Sequence, residues 1–216
     1  MRTITKGQEP PSLTTHRQMA FCDYENYADK DGLRVALARD QRSLCCYCMT
    51  RIEATGTAMK IAHHRSQRRY PGEQLSYRNL LGACNGGEGQ PKHLQHCDTR
   101  QGDRDVKFNP ADATSSVELR VRYRSDGTIA SSDQEFDAQL NEVLNLNLPL
   151  LRNRRKAVID SVTKWLRTFR NDHHRGPDSA TLRRERARWD PSTGSLDAYA
   201  PVAVWWLDQR LAGSTP

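Results

Sequence analysis

Hydrophobic positions change period along this chain, and each change predicts a new element. Between Glu25 and Arg42, Tyr27, Leu33, Ala36 and Leu37 recur at helical spacing and predict an N-terminal helix. Ahead of it, Pro10-Pro11-Ser12 predicts an irregular arm with no helix before Thr14. The run from Leu44 to Met49 is too short and too rich in cysteine for another helix. With the polar turn Thr55-Gly56-Thr57 and the apolar run Met59 to Ala62, it predicts a metal knuckle followed by a strand. Arg65 to Gln74 is polar with a Pro71-Gly72 turn, and the Gly and Asn residues between Cys84 and Gln90 mark a loop.

Farther on, Val117, Leu119, Val121 and Tyr123 alternate with Glu118, Arg120, Arg122 and Arg124, and Asp126-Gly127 precedes Thr128-Ile129. That pattern predicts a half-buried hairpin with a basic outer face. In the last third the helical period returns. Phe136, Leu140, Val143 and Leu144, then Leu150 to Phe169, predict two helices meeting near Pro149. A Gly176-Pro177 break separates them from a charged helix, Ser179 to Arg188, and from a closing helix, Val202 to Leu211. The expected fold is α+β and mainly helical. Its regions are an N-terminal arm and helix (1–42), a cysteine-rich core with the following hairpin (43–130) and a helical C-terminal region (131–216), all within one compact unit.

Composition narrows the class. At 216 residues, 36% hydrophobic and 27% charged, with a mean hydropathy of -0.83, no window approaches the roughly 20 apolar residues of a membrane span. The opening MRTITKGQEPPSL has no apolar signal core, so a cytoplasmic protein with reduced cysteines is expected. The 33 Lys and Arg outnumber the 26 Asp and Glu, giving a net charge of +7. Residues 152–188 hold twelve Lys or Arg against Asp160, Asp172, Asp178 and Glu185. Such a run tracks a phosphate backbone, or forms a solvated face or a docking surface.

The chemistry concentrates between Cys45 and Asp98. Cys45 and Cys48 form a C-x-x-C pair, and Cys84 with Cys97 supplies a second pair. Four soft donors suit tetrahedral Zn²⁺, the alternative being buried free thiols or a redox pair. Cys46 and Cys22 read as spectators. Between the pairs lie His63 and His64 at the end of the expected strand, then Asn79, with Asp98 following Cys97. An imidazole to deprotonate water, an amide to hold it and a carboxylate for a hard cation are what a one-metal phosphodiester hydrolase requires. His93 and His96 read as loop residues, with His96 near the site by sequence alone.

The order Cys-x-x-Cys, His at a strand end, Asn-Leu-Leu-Gly-x-Cys and His-Cys-Asp resembles the HNH, or ββα-metal, endonuclease module. More closely, ITKGQEP, LCCYCMTRI, MKIAHHRSQ, NLLGACNGG, QHCDTRQGD, Asn109-Pro110 and LNEVLNLN resemble the PtuB-type HNH nucleases of Septu anti-phage systems and of retrons carrying a Septu-like effector pair. The likeness spans roughly residues 1 to 170. It implies a zinc-stapled ββα nuclease core, with His63 as general base, Asn79 fixing it, Asp98 on the side of a catalytic Mg²⁺ or Mn²⁺, and Cys45, Cys48, Cys84 and Cys97 holding structural Zn²⁺. It further implies nucleic acid as substrate, a PtuA-like ATPase partner, and in some systems a retron reverse transcriptase with its RNA-DNA product; Arg65, Arg68, Arg69 and Arg100 are the candidate contacts to the nucleic acid.

The chain departs from the family at Ala62, where an acidic residue usually precedes the base. In one reading the acidic ligand is lost, by design or naturally, and activity is weakened. In the other the register moves by one, His63 becoming a metal ligand and His64 the base. The function expected is an HNH endonuclease; the competing class is a non-catalytic zinc-stabilised adaptor that binds nucleic acid or docks on the ATPase.

Overall fold

A computed structural model describes residues 1–213. The chain enters as an extended segment, anchored where the Ile4 amide donates to the Pro110 carbonyl at 2.8 Å. Helix α1 spans Pro11–His16, earlier than the expected limit of Thr14. Proline caused the difference. At the first helical position its missing N–H is one the helix leaves unbonded anyway, and its fixed φ is already helical. Leu13, fully buried, pins this turn to the core. Helix α2 spans Lys30–Asp40 and begins later than the predicted Glu25 because the Asp29 side chain accepts from Gly32 N at 2.9 Å and caps it there.

The cysteine knuckle follows. Ser43 and Ile52 close its base (Ile52 N to Ser43 O, 3.0 Å), and Cys45 N bonds Thr50 O at 2.8 Å. Strands β1 (Lys60–His63) and β2 (Leu80–Ala83) then pair antiparallel, with Lys60 opposite Ala83 and His63 opposite Leu80. Cys46 N donates to Gly82 O at 3.0 Å, which seats the knuckle against β2. The short helix α3, Cys97–Gln101, packs on β1 and completes a ββα arrangement.

The second hairpin is shorter than its alternation predicts. Val117–Arg120 forms helix α4, and only Val121–Tyr123 (β3) pairs with Ile129–Ser131 (β4). Val117 and Val121 are four apart, so burying both suits a helical turn as well as a strand; Leu119 is left 81% exposed. Helix α5 (Gln134–Ala138) runs into a π-helical turn, Gln139–Val143, and α6 (Pro149–His173) starts at the predicted proline. Helices α7 (Ser179–Trp189) and α8 (Ala200–Leu211) follow the expected break, and α8 packs on both α6 and α7.

The C-terminal region closes over the knuckle rather than standing apart. Leu196 N donates to Arg42 O at 3.0 Å and Tyr199 N to Met49 O at 2.9 Å. One hydrophobic cluster runs from Met1 through the knuckle and both hairpins to Leu207. The result is an α+β fold, about 42% helical, with small antiparallel sheets. Among the described residues no helix is long and apolar enough to cross a membrane.

Candidate metal centre and histidine site

The knuckle and the Gly-rich loop bring Cys45, Cys48, Cys84 and Cys97 together, all buried, with every sulfur within 4.8 Å of the others. Cys45 and Cys97 sulfurs lie 3.9 Å apart and Cys48 and Cys84 sulfurs 3.7 Å apart. A tetrahedral ion with bonds of about 2.3 Å requires sulfur edges of about 3.8 Å, so the set fits a metal ion such as zinc. Burial acts to raise the Cys45 thiol, but hydrogen bonds from Cys46, Cys48, Cys84 and Cys97 bring it well below its usual range. Gly86 (φ 57°) makes the loop between Cys84 and Cys97 possible, since a Cβ there would meet the His96 carbonyl at 2.2 Å. Cys46 is buried beside the cluster without joining it, and Cys22 is half-buried near α1. His96 is more than a loop residue: it is buried, with Nδ1 3.1 Å from the Cys97 sulfur. His93 stays exposed.

At the far end of β1 the two histidines diverge. His63 Nε2 meets the Gln74 carbonyl at 3.0 Å, and its ring lies edge-on to Tyr24 with centroids 4.6 Å apart. A carbonyl can only accept, so Nε2 carries the proton and Nδ1 is the free base, approached at 3.3 Å by the Gln67 amide. Burial lowers the His63 pKa to about 4 against the opposing Gln74 bond, and the ring is neutral at pH 7. His64 is also pushed to about 4, by burial first and then by Arg65, with Asp105, Glu73 and Asp112 opposing.

Among the described residues the Asn79 side chain makes no hydrogen bond to either ring. Its Oδ1 accepts from Arg65 N at 2.8 Å, and its Nδ2 donates to Arg65 O at 3.0 Å and Glu73 O at 3.1 Å. Together with the bond from His64 N to Asn79 O at 2.9 Å, this fixes the backbone from which both imidazoles project.

Asp98 sits in the first turn of α3, where Lys60, Cys45 and Glu88 are the charges acting on it. Its neighbour Thr99 accepts from Lys60 Nζ at the start of β1, whereas Gln101 reaches the His64 carbonyl at the strand's end (3.1 Å). Asp98 therefore lies toward the thiol cluster, and of the carboxylates whose charge reaches His64 (Asp105, Glu73 and Asp112) the foremost is Asp105, which the sequence alone did not single out. Its only signal is position, seven residues past Asp98.

Among the described residues, no second set of three His, Cys, Asp or Glu ligand atoms converges. Three polar side-chain atoms beside the strand's end are nonetheless buried without a partner: His64 Nδ1, Gln101 Oε1 and Asp105 Oδ1. Mg²⁺ keeps several waters and takes one or two protein oxygens plus substrate phosphate; the Asp105 and Gln101 oxygens are of that donor class, and the His64 nitrogen is a softer donor. Ala62 is buried opposite Leu81.

Of the expected nucleic-acid contacts, three lie on the loop after β1. Arg65 pairs with Glu73 at 2.7 Å, Arg68 with Asp103 at 2.7 Å and Arg69 with Asp105 at 2.8 Å. Arg100 turns toward the cysteine loop and donates to Lys92 O at 2.8 Å. Arg155, one of the basic residues of the C-terminal run, is fully buried and holds the second hairpin through Gly127 O (2.6 Å) and Leu146 O (2.8 Å). It contributes nothing to a surface. No protein-family model matches the chain, and no curated protein does.

Proposed function

We propose that the chain is an HNH-type endonuclease that hydrolyses phosphodiester bonds in nucleic acid, with His63 as the general base. The observation that carries this reading is the bond between His63 Nε2 and the Gln74 carbonyl, which fixes the tautomer and leaves Nδ1 to accept a proton. In the reaction, a water oxygen bonds to phosphorus while its proton passes to His63 Nδ1. The P–O3′ bond breaks and O3′ departs with the electron pair. Asn79 keeps the turn that carries the base in place. A divalent cation, Mg²⁺ or Mn²⁺, would polarise the scissile phosphate and offset charge on the leaving oxygen; His64, Asp105 and Gln101 are the residues to hold it. Zn²⁺ in the four-cysteine cluster is structural in this reading, since four protein ligands leave no open position.

The resemblance of the motifs to PtuB-type nucleases supports an effector role in anti-phage defence with a PtuA-like ATPase, DNA and tRNA both being candidate substrates. A second reading rests on Ala62: with no acid beside the base, the chain acts as a zinc-stabilised adaptor that binds nucleic acid or the ATPase without cutting. The deciding experiment is cleavage of plasmid, single-stranded DNA and tRNA with Mg²⁺ or Mn²⁺, with and without the ATPase. Cleavage lost in His63→Ala supports the nuclease. Intact substrate throughout leaves the adaptor.

A further inference from the structure

Helices α6, α7 and α8 enclose a groove of about 370 Å³ that shares no residue with the histidine site. Arg167 and Arg170 of α6 and Arg210 of α8 line it, over an apolar floor of Leu166, Pro177 and Leu182. No Asp or Glu lines it. Some basic side chains elsewhere on these helices have acidic partners, Lys156 with Asp160, Arg186 with Asp208 at 2.6 Å and Arg188 with Glu185 at 3.0 Å, whereas Arg154, Lys164, Arg183 and Arg184 form no ion pair among the described residues. Among the described residues, Arg167, Arg170 and Arg210 form no ion pair, and the buried Nε of Arg210 has no hydrogen-bond partner. Arg167 and Arg170 are exposed, so water screens their mutual repulsion, and the desolvated Arg210 N–H left unpaired adds the larger cost. A bound anion offsets both.

We propose that this groove binds the phosphates of a nucleic-acid backbone, anchoring substrate at a distance from His63. The planar guanidinium fork matches phosphate oxygens in two places at once. A strand is favoured over a lone phosphate because the cations come from both sides of the groove: Arg167 and Arg170 stand three residues apart on α6, a rise of about 4.5 Å, and Arg210 comes from α8. Apart from the Thr163 hydroxyl, the neutral lining of Leu166, Pro177 and Leu182 offers no donor or acceptor to a base edge, so recognition rests on the phosphates more than on sequence. As an anchoring site for substrate it rests on the nuclease reading; as a phosphate site it stands without it.

The test uses the full, zinc-loaded chain without Mg²⁺ and measures the anisotropy of a labelled 25-base-pair DNA duplex and its RNA counterpart across a salt series. Arg167→Gln/Arg170→Gln/Arg210→Gln should weaken binding by roughly tenfold or more and lower the log–log salt slope by nearly 3, one phosphate contact per arginine. A control variant neutralising the paired Arg152, Lys156 and Arg188 removes the same charge and should change the slope by less than about 1. Equal effects of the two variants, unchanged binding by the groove variant, or no binding by the wild type would each overturn the proposal. Hydrolysis of bis(4-nitrophenyl) phosphate with Mn²⁺ separates the two claims. That small diester needs only the histidine site, so its rate should be unchanged by the groove substitutions. If the wild type lacks this hydrolysis but the binding pattern holds, the nuclease reading fails and the phosphate site stands.

Discussion

The side chain of Gln41 pairs with the backbone of Gly82 in both directions: Oε1 accepts from Gly82 N at 2.6 Å, and Nε2 donates to Gly82 O at 2.7 Å. A buried amide thus acts as a third strand for β2, two residues before Cys84. Nε2 also donates to Leu44 O at 2.8 Å, so one side chain ties the end of α2 to the knuckle and to the strand. Gly82 admits this approach because a Cβ there would lie 3.1 Å from Gln41 Nε2, besides 2.5 Å from the Met59 methyl.

Gln41→Leu keeps the volume and removes the pairing, leaving the buried Gly82 N–H without a partner. The expected loss is about 1–3 kcal/mol of unfolding free energy. Urea unfolding of the metal-loaded protein checks it, through a lower midpoint at unchanged slope; an unmoved midpoint would show the amide pairing to be dispensable.

The four-sulfur geometry predicts one tightly held zinc per chain. Elemental analysis of protein purified without chelator should find it, and Cys48→Ser or Cys97→Ser should abolish both the metal and the fold, because a structural zinc contributes roughly 10 kcal/mol or more. Cys22→Ser should leave metal content and melting temperature nearly unchanged, since its sulfur lies outside the cluster. Protein that melts identically with and without its metal would refute a structural role.

The cysteine spacing made the four-cysteine cluster legible, and the helical period placed α6, α7 and α8 within a few residues. What stayed hidden was non-local. Nothing in the sequence near Asp98 says that α3 lies along β1 with its Asp98 end toward Lys60 and its Gln101 end toward His64. Nothing in the sequence near Asn79 says that its amide bonds the backbone of Arg65 and Glu73. Arg155 counted as surface charge because burial of a guanidinium depends on carbonyls supplied by Gly127 and Leu146, from separate segments. The segment Val117–Arg120 was misread because positions four apart satisfy both periods.

Lys6 gives a pH signature. Its ammonium donates to the Leu80 carbonyl and sits 4.3 Å from the Tyr77 ring centroid, and burial lowers its pKa from 10.5 to about 8 against the opposing charges of Asp40 and Cys46. Between pH 8 and 10.5 the unfolded chain holds a proton that the folded chain has released. The Lys6 contribution to stability therefore rises with pH across that window and is lost as pH falls through 8. Its full span is at most about 3 kcal/mol. Unfolding free energies of wild type and Lys6→Met at pH 7 and pH 10 should differ in this sense, wild type gaining relative to the variant at the higher pH. Parallel pH curves would refute it.

The residue at position 62 decides how the histidines divide their work. Strand alternation puts side chains 62 and 64 on one face and 63 on the other, and the bond from His64 N to Asn79 O carries the ladder past the end of β1. An acid at 62 would thus share the face of His64, the ring acted on by Asp105, while His63 keeps its own bond to Gln74. Ala62→Glu should lower the Mg²⁺ concentration needed for half-maximal cleavage, by roughly tenfold on the scale of a gained metal-side contact. His63→Ala on either background should cost about 10²–10⁴-fold in rate at saturating metal, as loss of a general base does. His64→Ala should instead raise the metal requirement and leave the saturated rate within about tenfold. The shifted register reverses these patterns: His64→Ala would remove the saturated rate, and Ala62→Glu would add little. Metal titrations of cleavage rate for the three variants separate the assignments, and rates indifferent to both histidines would reject the nuclease.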